Sequence, residues 1–277
     1  MARTVFLIAG AAVALILVMA YPFLPGAHDA MALPLSVLVQ VAGLFGMPAV
    51  PVGMVWLIQR RRGRRVFRHA VAAICLATLA ALAVAGAAAL TAGFSFGLLV
   101  AGLWSLVLVR WVPRVRALCA GERGAGRAPL CLVTLAPVLL LAQILLLAPL
   151  TDAARARLMA GSGQLIADIE HHRTRYGSYP LSLQALNRDY DTSVTAVLQY
   201  HYVPRGQAYS VYFAQPRFLL DEVGVREIVM YNPRDEHLMP SHVYWILYWS
   251  PEQLERNQGW FAVRDTGVAR WKAFVFD

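Results

Sequence analysis

The sequence predicts a membrane α-helical bundle of five spans followed by an α+β domain, in which a long helix lies on an antiparallel sheet. Three observations lead there. Hydrophobic residues make up 58% of the chain and charged ones only 15%, far from the mix of a soluble globular protein. Charge is divided unevenly: residues 1–150 hold twelve Arg, no Lys and two acids (Asp29 and Glu122), a balance of +10. Residues 151–277 hold thirteen Lys plus Arg against fourteen acids, a balance of −1. Finally, the hydrophobic pattern changes at the same place, from long apolar runs to an amphipathic helix and then to short aromatic-rich segments. The chain therefore divides into 1–150, the bundle, and 151–277, the exported domain.

Val5–Leu24, Leu35–Ile58, Ala70–Leu90, Phe94–Val109 and Leu130–Leu150 are the spans, each near the ~20 residues that cross ~30 Å of hydrocarbon. The 41 residues between His69 and Trp111 are too many for one crossing, and Thr91-Ala92-Gly93 supplies the turn. Val5–Leu24 reads as a retained span, longer than a signal-peptide core and without a small-residue cleavage site before Tyr21-Pro22-Phe23. In the second span Gly46, Pro48, Pro51 and Gly53 predict a bent or broken helix. Gly93, Gly97, Ala101 and Ser105 form a small-residue face, as do Ala73, Ala77, Ala81, Ala85 and Ala89 on the preceding span, and both suit close helix packing. Gln40 and Gln143 are expected to hydrogen-bond between helices. No Asp, Glu, Lys or His lies in any span, which argues against a proton- or sodium-coupled transporter.

Arg60, Arg61, Arg62, Arg64, Arg65 and Arg68 fill the second loop, and Arg110, Arg114, Arg116, Arg123 and Arg127 the fourth. The first loop (Pro25–Pro34) and the third carry no Arg or Lys. By the positive-inside bias the N-terminus and both basic loops are cytoplasmic, and residues 151–277 are periplasmic in a bacterial inner membrane. The same arginines do not read as a nucleic-acid site, because each loop is short, clamped between spans and free of interleaved aromatics. Lipid is the partner that the composition demands.

In the exported half, Pro149 marks the end of the fifth span and a helix is expected to resume at Thr151-Asp152, with Arg155 and Arg157 beside the headgroups. Leu158, Leu165, Ile166 and Ile169 form its apolar stripe, while Gly161 and Gly163 weaken it and offer a swivel. The helix stops at Tyr176-Gly177, since Gly takes positive φ at a C-cap, and Pro180 forbids an immediate restart. Leu183 and Leu186 then mark a short second helix. Val194–Val203, Ala208–Phe213, Glu227–Tyr231, Val243–Trp249, Trp260–Arg264 and Trp271–Phe276 are candidate strands for a sheet of about five, with Asp265-Thr266-Gly267 as a hairpin turn.

Tyr176, Gly177, Tyr179, Pro180, Leu183 and Leu186, in the run RxxYGSYP followed by LxxL, resemble the globular part of type IV pilin-like proteins, most closely the major pseudopilins of type II secretion. The resemblance covers about 30 residues closely and the rest of the C-terminal half by pattern. It implies a membrane helix that continues into the domain, ends in a G-x-Y-P element and packs on an antiparallel sheet. Major pseudopilins bind calcium through a later loop, but their ligands do not map onto this chain. The prepilin-type leader is missing as well. The expectation is thus a pilin-like module that is neither cleaved nor polymerised.

Chemical candidates are few. Asp168 and His172 stand four apart on one helix, but a third metal ligand is lacking and a surface pair is the reading. Asn187, Asp189 and Asp191 imitate the start of an EF-hand loop, yet Thr192 replaces its glycine and Leu198 its final glutamate. Ser182, Ser210 and Ser241 have no recognisable base partner. Cys75, Cys119 and Cys131 all lie in the membrane half, so the exported half offers neither a disulfide nor a thiolate metal site. No cofactor or metal is expected. Tyr200, Tyr202, Tyr209, Tyr212, Tyr244, Trp245, Tyr248, Trp249, Trp260 and Trp271 are divided between the core and an outward face suited to a partner. The leading function is a non-enzymatic inner-membrane protein that displays its domain to an envelope or secretion partner. The alternatives are a transporter or channel component with an accessory domain, and an enzyme or receptor whose site spacing does not reveal.

Overall fold

A computed structural model describes residues 2–59, 64–119, 128–221, 226–237 and 261–276. The expected strand Val243–Trp249, with Ser241 and Trp260, lies outside them. The chain forms two compact units, one of Met1–Pro22, Ala30–Leu147 and Phe218–Leu220, the other of Phe23–Asp29, Ala148–Arg217 and Asp221–Asp277.

The first unit is helical: α1 (Ala2–Ala20), α2 (Ala32–Gly46), α3 (Ala49–Gln59), α4 (Arg64–Ala92), α5 (Phe94–Cys119) and the first part of α6 (Ala128–Gly161). Among the described residues four helical stretches are long and apolar enough to cross a membrane, and α2 with α3, bent by 57° at their junction, passes the same test only as a pair. The break follows from the prolines. Within one continuous helix Pro48 and Pro51 would each remove a backbone bond and press on the carbonyl four residues earlier, so α2 closes with Met47 N–H on the Leu44 carbonyl at 3.3 Å. The neighbouring glycines have another task. A Cβ on Gly46 would stand 2.9 Å from Ala136 Cβ, and one on Gly53 2.9 Å from Val133 Cγ2. Both glycines let α6 approach the bent pair closely.

The two small-residue faces meet each other. At Gly93 the chain turns with φ +100°, and a Cβ on Gly97 would stand 2.8 Å from Ala89 Cβ. Farther along this hairpin Trp104 Nε1 donates to Thr78 Oγ1 at 3.3 Å. Buried polar groups need hydrogen-bond partners, and Gln40 is where they converge. Its Nε2 donates to Ser36 Oγ at 2.9 Å, and its Oε1 accepts from Gln143 Nε2 at 2.9 Å and from the Leu219 N–H at 2.6 Å. Ser36 in turn donates to the Met19 carbonyl at 2.6 Å. Gln40 and Gln143 thus bond between helices, as their composition suggests. The bond from Leu219 belongs to a short apolar run, Phe218–Leu220, that is part of this first unit.

In the second unit α6 passes through Pro149 without interruption, so the expected stop and restart does not occur. Transmembrane helices tolerate proline where local adjustment re-satisfies the freed carbonyl. At the joint with α7 (Gly163–Tyr176) the ladder also continues, Ser162 N–H bonding Leu158 O at 3.1 Å and Ile166 N–H bonding Ser162 O at 2.9 Å. Gly161 serves packing here. A Cβ on it would stand 2.9 Å from the Tyr200 hydroxyl, which donates to the Leu158 carbonyl at 2.8 Å.

The sheet holds β1 (His201–Arg205), β2 (Ala208–Ala214), β3 (Arg226–Tyr231), β4 (Phe261–Asp265) and β5 (Trp271–Phe276) in the order β1-β2-β3-β5-β4, every pair antiparallel. Register places Val211, Tyr231 and Trp271 in one row, and Phe213, Val229 and Ala273 in the next. Ala154, Leu158, Leu165 and Ile169 are the fully buried residues of the helix. Burying each of its two leucines and the isoleucine contributes about 1.5–3 kcal/mol. Ile166, placed on the same stripe by sequence, is only half-buried. The far face of the central strands is covered too, since Ser210, Met230 and Phe274 are buried. The one-sided alternation that would turn aromatics outward is therefore absent from these strands.

One strand starts late. Val194–Tyr200 is not extended, because Ser193 has φ +56° and Val197 N–H turns back to the Val194 carbonyl at 3.0 Å. Backbone bonds tie this turn to residues 23–29, Thr195 N–H to Leu24 O at 3.2 Å and Asp29 N–H to Thr195 O at 2.9 Å. The β-branched residues that suggested a strand instead fill the turn, with Val194 and Val197 buried. The expected second helix is a 3-10 turn, Leu183–Leu186.

Candidate functional site

The helix end is built as a lock. Gly177 has φ +77° and its N–H bonds the Arg173 carbonyl at 2.8 Å, satisfying an orphan carbonyl of the last turn. The chain then dives under the helix. Tyr179 is buried, its ring 4.8 Å from that of Tyr209 at an edge-on angle, and Arg173 reaches back with Nη1 2.6 Å from the Tyr179 hydroxyl. Tyr202 from β1 donates to the Pro180 carbonyl at 2.8 Å, so the turn is held by helix and sheet together. A Gly177→Val substitution forces a β-branched residue into the left-handed region and should destabilise the domain by about 1–3 kcal/mol. Thermal melting of the purified full-length protein measures it, and an unchanged midpoint would refute the role given to this cap.

The other residues of the motif are on the surface or half-buried. Tyr176 is 62% exposed, with His172 4.6 Å away and the Arg175 guanidinium 5.5 Å from its ring centre. Leu181 is 89% exposed, and Leu183 and Leu186 are half-buried. Leu183 also lines an open cleft of about 700 Å³ with Asn187, Arg188, Tyr190, Leu198 and Tyr200.

Asp168 and His172 do not form a pair. Asp168 accepts from Tyr190 Oη at 2.8 Å, Gln164 Nε2 at 2.8 Å and Arg188 Nη1 at 3.4 Å. Partial burial pushes its carboxyl up, but these donors outweigh it and hold the group below the usual carboxylate range. Burial and the same carboxylate push the Tyr190 hydroxyl up to about 12, which makes it a fixed donor rather than a base. His172 Nδ1 lies 3.0 Å from the Ser178 carbonyl, toward the cap. In the loop that imitates an EF-hand, Asp191 Oδ1 accepts from the Ser193 N–H at 2.9 Å and the buried Thr192 hydroxyl donates to the Val197 carbonyl. Both residues hold a turn. Ser182 precedes the 3-10 turn without a side-chain cap bond, and Ser210 is buried. Among the described residues no three His, Cys, Asp or Glu side chains converge as metal ligands.

Sequence reading missed an ion cluster inside the domain. Arg155, expected at the headgroups, reaches Glu227 Oε1 with Nη2 at 2.7 Å and Asp152 with Nη1 at 3.0 Å. Arg217 approaches the other oxygen of Glu227 at 3.6 Å and pairs with Asp221 at 3.0 Å. The Glu227 side chain is 1% exposed, on the same sheet face as Val229 and Tyr231. Arg157 likewise turns to protein, Nη1 lying 3.3 Å from the Phe23 carbonyl. His237 is also interior, with Nε2 3.2 Å and 3.1 Å from the Met230 and Arg270 carbonyls. Burial is the main cause that keeps its imidazole below the usual histidine range, so it acts as a neutral donor that ties two strand ends. The only signal for these groups in sequence was an acid or a cation within an aromatic-rich strand or beside an apolar run. Compared with known proteins, the chain matches no family model, no curated protein and no solved structure.

Proposed function

We propose that this chain is a multi-pass inner-membrane protein, not an enzyme, that displays a pilin-like domain to the periplasm as a docking module for an envelope or secretion partner. The observation that carries the reading is the helical run from Ala128 to Tyr176. It begins as an apolar span and ends in the Gly177 cap with Tyr179 packed against Tyr209. Such a run suits a membrane stalk that continues into its head. Polar side chains near the cap are committed to holding turns, which leaves the exposed Tyr176 and Leu181 and the neighbouring cleft as surface for recognition rather than chemistry.

The bonds between residues 23–29 and the 193–195 turn support the orientation. They fit an α1–α2 loop and a domain on one side of the bilayer, the side that the arginine asymmetry also favours. Reporter fusions after Arg65, Arg123 and Asp277 should be cytoplasmic, cytoplasmic and periplasmic, and a membrane-impermeant crosslinker should then join residues 151–277 to an envelope protein. A periplasmic signal at Arg65 would sink the orientation, and a domain that crosslinks to nothing in intact cells would sink the docking role.

A further inference from the structure

We propose that the cleft between the 183–191 segment and residues 198–200 binds a short, uncharged glycan. This goes beyond the docking of a protein partner and stands on the cleft itself, whose residues all belong to one compact unit. One wall is the 3-10 turn Leu183–Leu186 with the residues after it, where Asn187 takes φ +52° and its N–H bonds the Gln184 carbonyl at 3.0 Å. Facing it are Leu198, Gln199 and Tyr200, the last buried and fixed by its hydroxyl on the Leu158 carbonyl at 2.8 Å. About 700 Å³ lies between the walls, within the roughly 300–1,000 Å³ of small-ligand sites.

The groups left open decide the ligand. Arg188 and Tyr190 are held by Asp168, at 3.4 Å and 2.8 Å, and Asp191 Oδ1 accepts from the Ser193 N–H at 2.9 Å. Gln184, Asn187, Asp189 and Gln199 are exposed, and none of these four side chains bonds another described residue. Three carboxamides and a carboxylate thus stand open in one concave place. A carboxamide both donates and accepts, as a sugar hydroxyl does, and a carboxylate can accept from two neighbouring hydroxyls at once. Leu198, 65% exposed, and the half-buried Leu183 offer apolar contact to the C–H face of a sugar ring.

Other ligand classes fit less well. Asp189 and Asp191 against Arg188 leave the lining at −1, and the guanidinium already has its carboxylate, so phosphates and uronic acids are repelled. An extended peptide is captured by the backbone groups of a strand edge, and neither wall is a strand, since β1 begins only at His201. A flat apolar ligand would cover the carboxamides and leave them unpaired.

The test uses the full chain in lipid nanodiscs, free of sugar-headed detergent, titrated with cellotriose, chitotriose and maltotriose and followed by saturation-transfer NMR. At least one of the three should bind saturably, with a Kd of about 1 mM or below. Asp189→Ala and Gln199→Ala should each weaken that binding about fivefold or more, because each removes bonds that only the ligand receives. Both should leave the melting midpoint unchanged, since these side chains are exposed and hold nothing else. Arg175→Ala, which is not in the cleft, should alter neither reading. The trisaccharide of galacturonic acid should bind more weakly than the neutral sugar. Absence of saturable binding by all three sugars, affinity insensitive to both substitutions, or tighter binding of the galacturonate overturns the proposal. So does a lysine tripeptide that binds more tightly than every sugar, which would assign the cleft to a basic peptide. Crosslinking to an envelope protein is a separate reading: a domain that crosslinks and ignores all three sugars loses the glycan alone, and one that binds sugar without crosslinking loses the protein partner alone.

Discussion

Glu227→Ala should cost the α+β domain about 3–5 kcal/mol, because it leaves two guanidinium groups facing each other without the carboxylate between them. Glu227 is 1% exposed and meets Arg155 at 2.7 Å and Arg217 at 3.6 Å. Arg217, at 8% side-chain exposure, has little solvent to take over from the lost anion. A typical domain has about 5–15 kcal/mol of stability, so the variant would sit close to unfolding. Asp152 and Asp221 soften the loss, since each already holds one of the arginines at 3.0 Å, but both acids are more exposed than Glu227. Replacing Arg155 and Glu227 together by methionine should cost much less than the sum of the single changes, because neither charge is then left alone. Pulse proteolysis of the α+β domain in the full-length protein measures all three. A Glu227→Ala domain as resistant as the parent, or a double variant whose cost equals the sum, would show that the cluster does not act as a unit.

Periodicity carried the reading wherever one solvent faced a whole element. Four apolar helices long enough to cross a membrane, the break in the second apolar run, the buried Leu158, Leu165 and Ile169, the Gly177 cap and four of the strands were legible because each depends on a local pattern: an apolar run, a helical stripe, a positive φ, an alternation. What was not legible depends on partners distant in sequence. Val194–Val197 looked like a strand because its residues are β-branched, and only the bonds from residues 24 and 29 make it a turn. Glu227 was a charge in an apparent strand, and nothing nearby names Arg155, which is 72 residues away. Gly161 has the same lesson in reverse. Its helix-weakening tendency suggested a swivel, while the closeness of Tyr200 explains why no larger residue fits. Proline at 149 was over-weighted, since soluble-helix rules penalise it more than a membrane helix does.

The mature protein should remain in the membrane fraction at full length, with no fragment of residues 151–277 in sheared fibres. A pilin-like subunit enters a fibre by giving up its membrane helix to copies of itself, and on the proposed reading the corresponding helix is α6. That helix is not a free stalk. Gly46 and Gly53 of the bent pair approach it so closely that any side chain there would collide with Ala136 or Val133, and Gln143 binds Gln40 at 2.9 Å within the bilayer stretch. Withdrawing it along its axis would open this interface and leave a buried amide unpaired. It would also pull Arg123 and Arg127, which precede it in sequence, into hydrocarbon at about 2.5–3.5 kcal/mol each on the mildest scale. Cleavage near Pro149 would avoid that cost but would leave the head without any span to pack in a fibre. On the proposed reading, permanent residence is therefore the expected state. Immunoblots of membrane and sheared-fibre fractions decide the matter. A band of about 127 residues among the fibres would mean that α6 does leave and that the chain is a subunit rather than a display platform.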